Sequence, residues 1–327
     1  MSLDAAIYSA QRTIASFPLP VYVKFVTVVI AEFIFNILYI ISGGPSDAEN
    51  RANSGIGYPT AKALAKAGYH VIMACRNEDD TRDKIAKLEL ETGLCGSFEF
   101  MRLDLSSFHS IDAFTEAFRA KRLPIHIFVA NAGIMLIPTY ETTVNNIETH
   151  FGVNHIGHFR LIMGLLDIIK ASEPARIILV GSITSYLTTK IDYDYILNKD
   201  AYIPIYSYAN SKLANAMFAN ALARRLKGTK VTVNSLHPGA VATELYRYIP
   251  GQYAVKQSHK VLYLPSNEGA ATSIYLALSP EVEGMSGQFW SRESLKTHHN
   301  FATRVEEQEK LWKFTESLMA DSEKGLR

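Results

Sequence analysis

Short apolar runs alternate with helix-patterned stretches along most of this chain, and that alternation limits the possible folds more than any other property of the sequence. Runs at 69–75, 97–103, 125–130, 176–180 and 230–236 are rich in Val, Ile and Phe and have strand length. Between them, 60–67, 81–92, 110–121, 147–169 and the stretch beginning at Tyr208 carry helical spacing. Strands alternating with helices predict a parallel sheet covered on both faces. The expected fold is therefore α/β, a doubly wound Rossmann-type parallel sheet. Ligands bind such sheets beyond the carboxyl ends of the strands. Here those ends carry Cys75, Asp104, Asn131, Ser182 and Pro238, so several weak signals converge on one rim.

Bulk properties narrow the classes of function. The 327 residues carry 33 basic and 32 acidic side chains, and no basic tract, which gives no nucleic-acid signature. Two cysteines, Cys75 and Cys95, cannot build a disulfide framework and fit no zinc site. No metal site is expected: His155 and His158 lack a third ligand and read as surface or packing residues. The N-terminus stands apart. Residues 21–41 are almost entirely apolar, broken by Lys24, Glu32 and Asn36. Spanning a bilayer takes roughly 20 such residues, so membrane attachment is the expectation, against a signal-like segment or an amphipathic helix. The division that results is 1–36 as a hydrophobic N-terminal segment, 37–300 as a dinucleotide-binding catalytic domain and 301–327 as a helical tail.

Tyr208 and Lys212 are four residues apart at the start of a helical stretch and project from one face. With a nearby hydroxyl they make a proton-transfer device for an alcohol or carbonyl. The spacing alone is common: Tyr58–Lys62, Tyr186–Lys190 and Tyr195–Lys199 share it. Context separates them. Tyr195 sits in a polar loop, Tyr186 follows a strand directly, and Tyr58 precedes Pro59 in a first helical turn with no partner strand. Only Tyr208–Lys212 opens a sustained amphipathic helix. The plain alternative for Tyr208 is an ordinary half-buried tyrosine.

Ser54, Gly55, Ile56 and Gly57 lead into a helix, and glycines there let a phosphate approach its N-terminus. The next strand ends at Cys75-Arg76 with no acid at its tip. An acid would hold the ribose hydroxyls of NAD(H), whereas Arg76 suits the extra phosphate of NADP(H). The alternative for Arg76 is a solvated loop charge.

Asn131-Ala132-Gly133, Asn154, Ser182, Tyr208, Lys212 and Pro238-Gly239 stand in the order and approximate spacing of the short-chain dehydrogenases/reductases, and the chain resembles that family from about residue 40 to 290. The segments 74–77, 154–159, 211–215 and 267–270 look most like its retinol-dehydrogenase-like branch. The resemblance implies Tyr208 as general acid/base, with Lys212 lowering its pKa and holding the nicotinamide ribose. It implies Ser182 on the substrate oxygen and Asn154 positioning Lys212 through a water. Gly43, Ser54, Gly55, Ile56 and Gly57 would meet the phosphates, Arg76 the NADP phosphate and Asp104 the adenine. Asn131, Ala132 and Gly133 would floor the cofactor site, and Pro238, Gly239, Val241 and Thr243 would cover the carboxamide side. Relatives in this branch act on lipid alcohols and aldehydes, commonly at endoplasmic-reticulum membranes. The expected partners are thus a hydrophobic small molecule and a membrane, while the oligomeric state is not readable.

One departure stands out. The family carries a Thr-Gly pair just ahead of Gly-Ile-Gly, and Arg51 occupies the place of its glycine. Gly43 and Gly44 lie further upstream, with residues 45–52 inserted, two of them acids that oppose phosphate binding. A non-catalytic, membrane-associated binding protein with a disrupted cofactor loop is the resulting alternative, and a variant transcript is a third. Residues 246–265, apolar and tyrosine-rich, are expected to close over the substrate.

Overall fold

The structure, a computed structural model, describes residues 55–241 and 264–325. Within them the chain alternates as expected. Helix α1 (Gly57–Lys66) leads to β1 (Val71–Cys75), α2 (Glu78–Thr92) to β2 (Phe98–Arg102), and α3 (Phe108–Lys121) to β3 (Ile127–Ala130). Next come α4 (Gly157–Ala171), β4 (Ala175–Val180), α5 (Pro204–Arg225), β5 (Val231–His237) and α6 (Ser266–Leu278). The strands β6 (Phe289–Ser291) and β7 (Ser294–Lys296) and the helix α7 (Val305–Glu323) end the order.

Local chemistry sets these boundaries. The Asn77 side chain caps α2 by accepting from the Asp80 N–H, three acids occupy its first turn, and Gly93 ends it at φ 70°. Ser107 caps α3 in the same way. Pro204 opens α5, where its missing N–H costs nothing.

Among the described residues the strands form two groups. β1 pairs with β2, and the second sheet runs β3-β4-β5-β6-β7, parallel except for the antiparallel β7. In β4, Ile177 and Leu179 face a core layer under α3, α4, α5 and α7, while Ile178 and Val180 face a layer under α1 and α6. That period of two, apolar on both faces, marks a sheet buried on both sides. Val71 of β1 packs in the same layer as Ile127 and Val129 of β3, so the two strand groups share it.

Two elements differ from the sequence expectation. The helix expected over 147–169 is interrupted: Thr149–Phe151 make one α-turn and Gly152–Ile156 a π-turn before α4. Glycines flank the break for a steric reason. A Cβ at Gly157 would lie 2.5 Å from the Leu105 carbonyl oxygen, and one at Gly152 would lie 2.6 Å from Thr143 Cγ2. The second difference is at α5, which starts four residues before Tyr208, placing the tyrosine in its second turn. The C-terminal helix α7 lies on the body, with Trp312 against Phe159 and Phe218. Among the described residues no helix is long and apolar enough to cross a membrane. The hydrophobic stretch at 21–41 lies outside them.

Candidate active site

The parallel registers bring Ala130, Val180 and His237 to one end of the larger sheet. Ser182, Asn131 and Pro238 lie directly beyond those ends. Helix α5 passes beside β4 and presents Tyr208 and Lys212 from adjacent turns, both almost fully buried.

Ser182 is oriented before any substrate arrives. Its Oγ accepts from the Thr184 N–H at 3.2 Å and from the Thr184 hydroxyl at 2.9 Å. Its own hydroxyl hydrogen is thereby left to act on the Tyr208 phenol. Burial pushes the Tyr208 phenol up to about 12, and the Ser182 bond pulls it back. The protein alone thus does not hold Tyr208 below its free value, contrary to the expectation from Lys212. The reason is geometric: Lys212 Nζ stands 5.7 Å from the ring centroid and donates instead to the Val180 carbonyl at 3.0 Å. Burial brings the ammonium itself down to about 8.

Asn154 sits on the π-turn and is wholly buried. Its Oδ1 accepts from the Ile134 N–H at 2.9 Å, and its Nδ2 donates to the Ile134 carbonyl and to Ser211 Oγ at 2.9 Å. It therefore ties the loop after β3 to the helix turn that carries Lys212, through Ser211. The π-turn is what aims it there, in keeping with the association of such turns with functional sites.

The loop after β3 is a floor of small residues. A Cβ at Gly133 would lie 3.3 Å from Asn154 Oδ1 and 3.4 Å from Lys212 Nζ. Gly57 approaches Asn131 so closely that a Cβ would meet its Nδ2 at 2.9 Å. Gly55 turns into α1 at φ 89°, a conformation suited to glycine, and Gly239 turns after β5 at φ 87°. Just beyond Gly133, Leu136 holds φ 58°. Both backbone groups of Ile137 are pinned: its N–H to His150 Nε2 at 3.3 Å, its carbonyl by the Tyr202 hydroxyl at 2.7 Å. His150 is set in turn by Glu148, 2.8 Å from its Nδ1. Leu136 packs with Met135, Ile183, Tyr186, Leu187 and Ile205 in an apolar cluster that includes Tyr208.

The remaining expected site residues are distributed along the rim. Arg76 is exposed at the end of β1. The Asp104 carboxylate accepts from the Ser106 N–H at 2.9 Å and from its hydroxyl at 2.6 Å, which shapes the turn beyond β2. Val241 is buried and bridges Leu264. Its side chain packs against Gly269, where a Cβ would meet Val241 Cγ2 at 2.4 Å. Ile56 is buried likewise. Gly43, Ser54 and Thr243, the insertion at 45–52 and most of the apolar stretch 246–265 lie outside the described residues. Each rival pair has a member engaged elsewhere: Lys62 pairs with Glu91 at 2.8 Å, Tyr186 donates to the Thr297 carbonyl and Tyr195 to that of Ile203.

The arrangement offers a buried phenol, a serine hydroxyl on it, a buried ammonium and a glycine floor at strand ends. The short chain dehydrogenase family model matches residues 52–253. The chain belongs to the short-chain dehydrogenase family. It is 36% identical over 283 residues to a human polyprenol dehydrogenase, covering 84% of this chain and 82% of that protein. It is 40% identical over 255 residues to human retinol dehydrogenase 14, covering 73% and 75%. Among solved structures it resembles an uncharacterized protein from Mycobacterium Paratuberculosis, with 25% identity, a TM-score of 0.65, and 82% and 91% of the two chains covered. The RhlG protein of Pseudomonas aeruginosa in complex with NADP shares the fold at 24% identity and a TM-score of 0.58, over 76% and 93%.

Sequence reasoning passed over Thr184, Ser211, His150 and Asn215. Thr184 and His150 lack a spacing signal because their roles depend on a 3₁₀ turn and a loop clamp. Ser211 and Asn215 lay inside the motif segment, adjacent to Lys212 and one turn beyond Ser211, and helix geometry places them on the face towards Asn154.

Proposed function

We propose that this chain is an NADP(H)-dependent oxidoreductase that interconverts a hydrophobic alcohol and its aldehyde or ketone. The observation that carries the reading is the clustering of Ser182, Tyr208 and Lys212 around the Gly133 floor, with the tyrosine and lysine buried. The residues present fit a nicotinamide cofactor. The floor has room where a Cβ would crowd Lys212 and Asn154, and a buried cation with only a carbonyl partner faces it. Asn131, Ala132 and Gly133, with Gly239, would hold the nicotinamide half, and Gly55 and Gly57 at the start of α1 the phosphates. The bound cofactor supplies or accepts the hydride.

The protein's part follows from its own atoms. Ser182 Oγ donates to the substrate oxygen, and Thr184 keeps that hydroxyl turned towards the site. Tyr208 gives its proton to the same oxygen in reduction and removes one in oxidation. A phenol at about 12 is a poor base at neutral pH, so the positive Lys212 must act on it once water is excluded and the local dielectric falls. Asn154 and Ser211 fix the helix turn from which Lys212 reaches. Arg76 at the β1 tip, where an acid would select NAD(H), favours NADP(H). The names of the relatives, polyprenol and retinol dehydrogenases, support an apolar substrate, as does the cluster of Met135, Leu136 and Ile205 beside Tyr208. Attachment to a membrane such as the endoplasmic reticulum through residues 21–41 completes the proposal, since such substrates partition there.

Titrating the purified full chain with NADPH and with NADH, followed by nicotinamide fluorescence, tests the reading. Saturable binding, tighter for NADPH, is expected. Failure to bind either nucleotide sinks it and favours the non-catalytic alternative that the acidic insertion at 45–52 raises.

A further inference from the structure

Three buried polar residues of the motif segments take no part in the proton and hydride steps: His155, His158 and Asn215. Asn215 Nδ2 donates to the Asn154 carbonyl at 2.8 Å, and its Oδ1 lies 3.3 Å from His155 Nδ1. His155 Nε2 lies 2.9 Å from Thr315 Oγ1, on the C-terminal helix α7. His158 Nδ1 grips the same Asn154 carbonyl at 2.9 Å.

One assignment of protons satisfies this line. The carbonyl can only accept, so Asn215 donates with its amide nitrogen and accepts with its oxygen. His155 therefore carries its proton on Nδ1, its Nε2 accepts, and the Thr315 hydroxyl donates. Burial lowers the His155 pKa to about 3, so the ring stays neutral across the working pH range. Beyond Asn154 the same polarity continues: its Nδ2 donates to Ser211 Oγ, whose hydroxyl donates to the Tyr208 carbonyl at 2.7 Å.

Packing alone does not call for such a line. Around His155 stand the rings of Phe151, Phe159 and Phe218, among which apolar side chains would fit without the desolvation cost of four polar ones. A fully satisfied buried network instead fixes one geometry. Resting on the proposed oxidoreductase function, we propose that Thr315 is a positioning residue for the active site. It acts through His155 and Asn215 on the π-turn that aims Asn154, which makes α7 part of the catalytic architecture.

The test is Thr315→Val, which keeps shape and removes the hydroxyl, beside Thr315→Ser, which keeps it. Turnover of NADPH with all-trans-retinal and with geranylgeranial is measured per NADPH-binding site. Hydrogen exchange is followed by mass spectrometry in the segment 150–158. Thr315→Val is expected to lower kcat by about tenfold to a hundredfold, with KM and the NADPH dissociation constant nearly unchanged. Exchange in 150–158 should rise, and Thr315→Ser should restore both. Should Thr315→Val not fold, Thr315→Cys, a weaker donor of similar size, should show a lower kcat and faster exchange than both Thr315→Ser and the wild type. Unchanged kcat and exchange overturn the proposal, as does a loss that serine fails to rescue. If the wild type reduces neither aldehyde, the proposed function fails on that result, and the exchange data still decide the role of Thr315.

Discussion

Replacing Lys212 by methionine should make the folded protein more stable while abolishing its chemistry. Lys212 is 4% exposed, donates to the Val180 carbonyl and holds a pKa lowered by burial from 10.5 to about 8. At roughly 1.4 kcal/mol per pH unit, the buried ammonium costs the fold about 3 kcal/mol at neutral pH. Methionine matches its length and removes the charge. Leaving the Val180 carbonyl without this donor returns about 1 kcal/mol, so the net gain is about 2 kcal/mol. The sign with pH follows from proton counts. Below pH 8 folded and unfolded chains both hold the lysine proton, and the penalty is full. Between about 8 and 10.5 the folded protein has lost the proton and the unfolded chain keeps it, so wild-type stability rises with pH. The advantage of Lys212→Met should therefore shrink across that window. Urea unfolding of both proteins at pH 7 and pH 9.5 reads it directly. A variant less stable than wild type at pH 7 would refute the reasoning, because Lys212 would then be a structural residue and not one kept for its charge.

Further outcomes follow from the same geometry. Arg76→Asp, at the exposed tip of β1, should turn the preference from NADPH to NADH by about tenfold or more in relative affinity, since it exchanges a phosphate partner for a ribose-hydroxyl partner; fluorescence titration with both nucleotides checks it. Ser182→Ala removes the donor that Thr184 orients and should lower kcat by about a hundredfold with NADPH affinity intact, as steady-state kinetics would show. Gly157→Ala places a Cβ 2.5 Å from the Leu105 carbonyl oxygen, and overpacking of that kind costs about 1–3 kcal/mol, visible as a lower urea midpoint.

The sheet and its rim were legible because their signals are local. Runs of Val and Ile at strand length, ended by Asn131, Ser182 and Pro238, need no long-range contact to be recognised, and the apolar period of α5 separates Tyr208–Lys212 from three rival pairs. The break at Gly152–Ile156 was not legible. Its cause is the close approach of Gly157 to Leu105 and of Gly152 to Thr143, which no spacing along the chain encodes. The interior position of Tyr208 in α5 was hidden for a different reason: Pro204 is both a loop residue and a good first residue of a helix. The direction in which Lys212 points was not legible, because four residues on a helix fix a face, while the Val180 carbonyl, 32 positions away, decides where the ammonium points. His155 and His158 lie in the core, where burial and hydrogen bonding to Asn215, Thr315 and the Asn154 carbonyl explain them.

The most direct test of the account is the exchange of Tyr208 for phenylalanine in the full chain, with NADPH oxidation by a C15–C20 isoprenoid or polyene aldehyde followed at neutral pH. Phenylalanine keeps the ring that packs with Ile183 and Ile205 and removes only the proton donor. The account predicts NADPH binding within about twofold of wild type and turnover reduced by about a thousandfold, in the range of a lost general acid. Turnover close to that of the wild type would place the proton donor elsewhere and contradict the assignment of Tyr208.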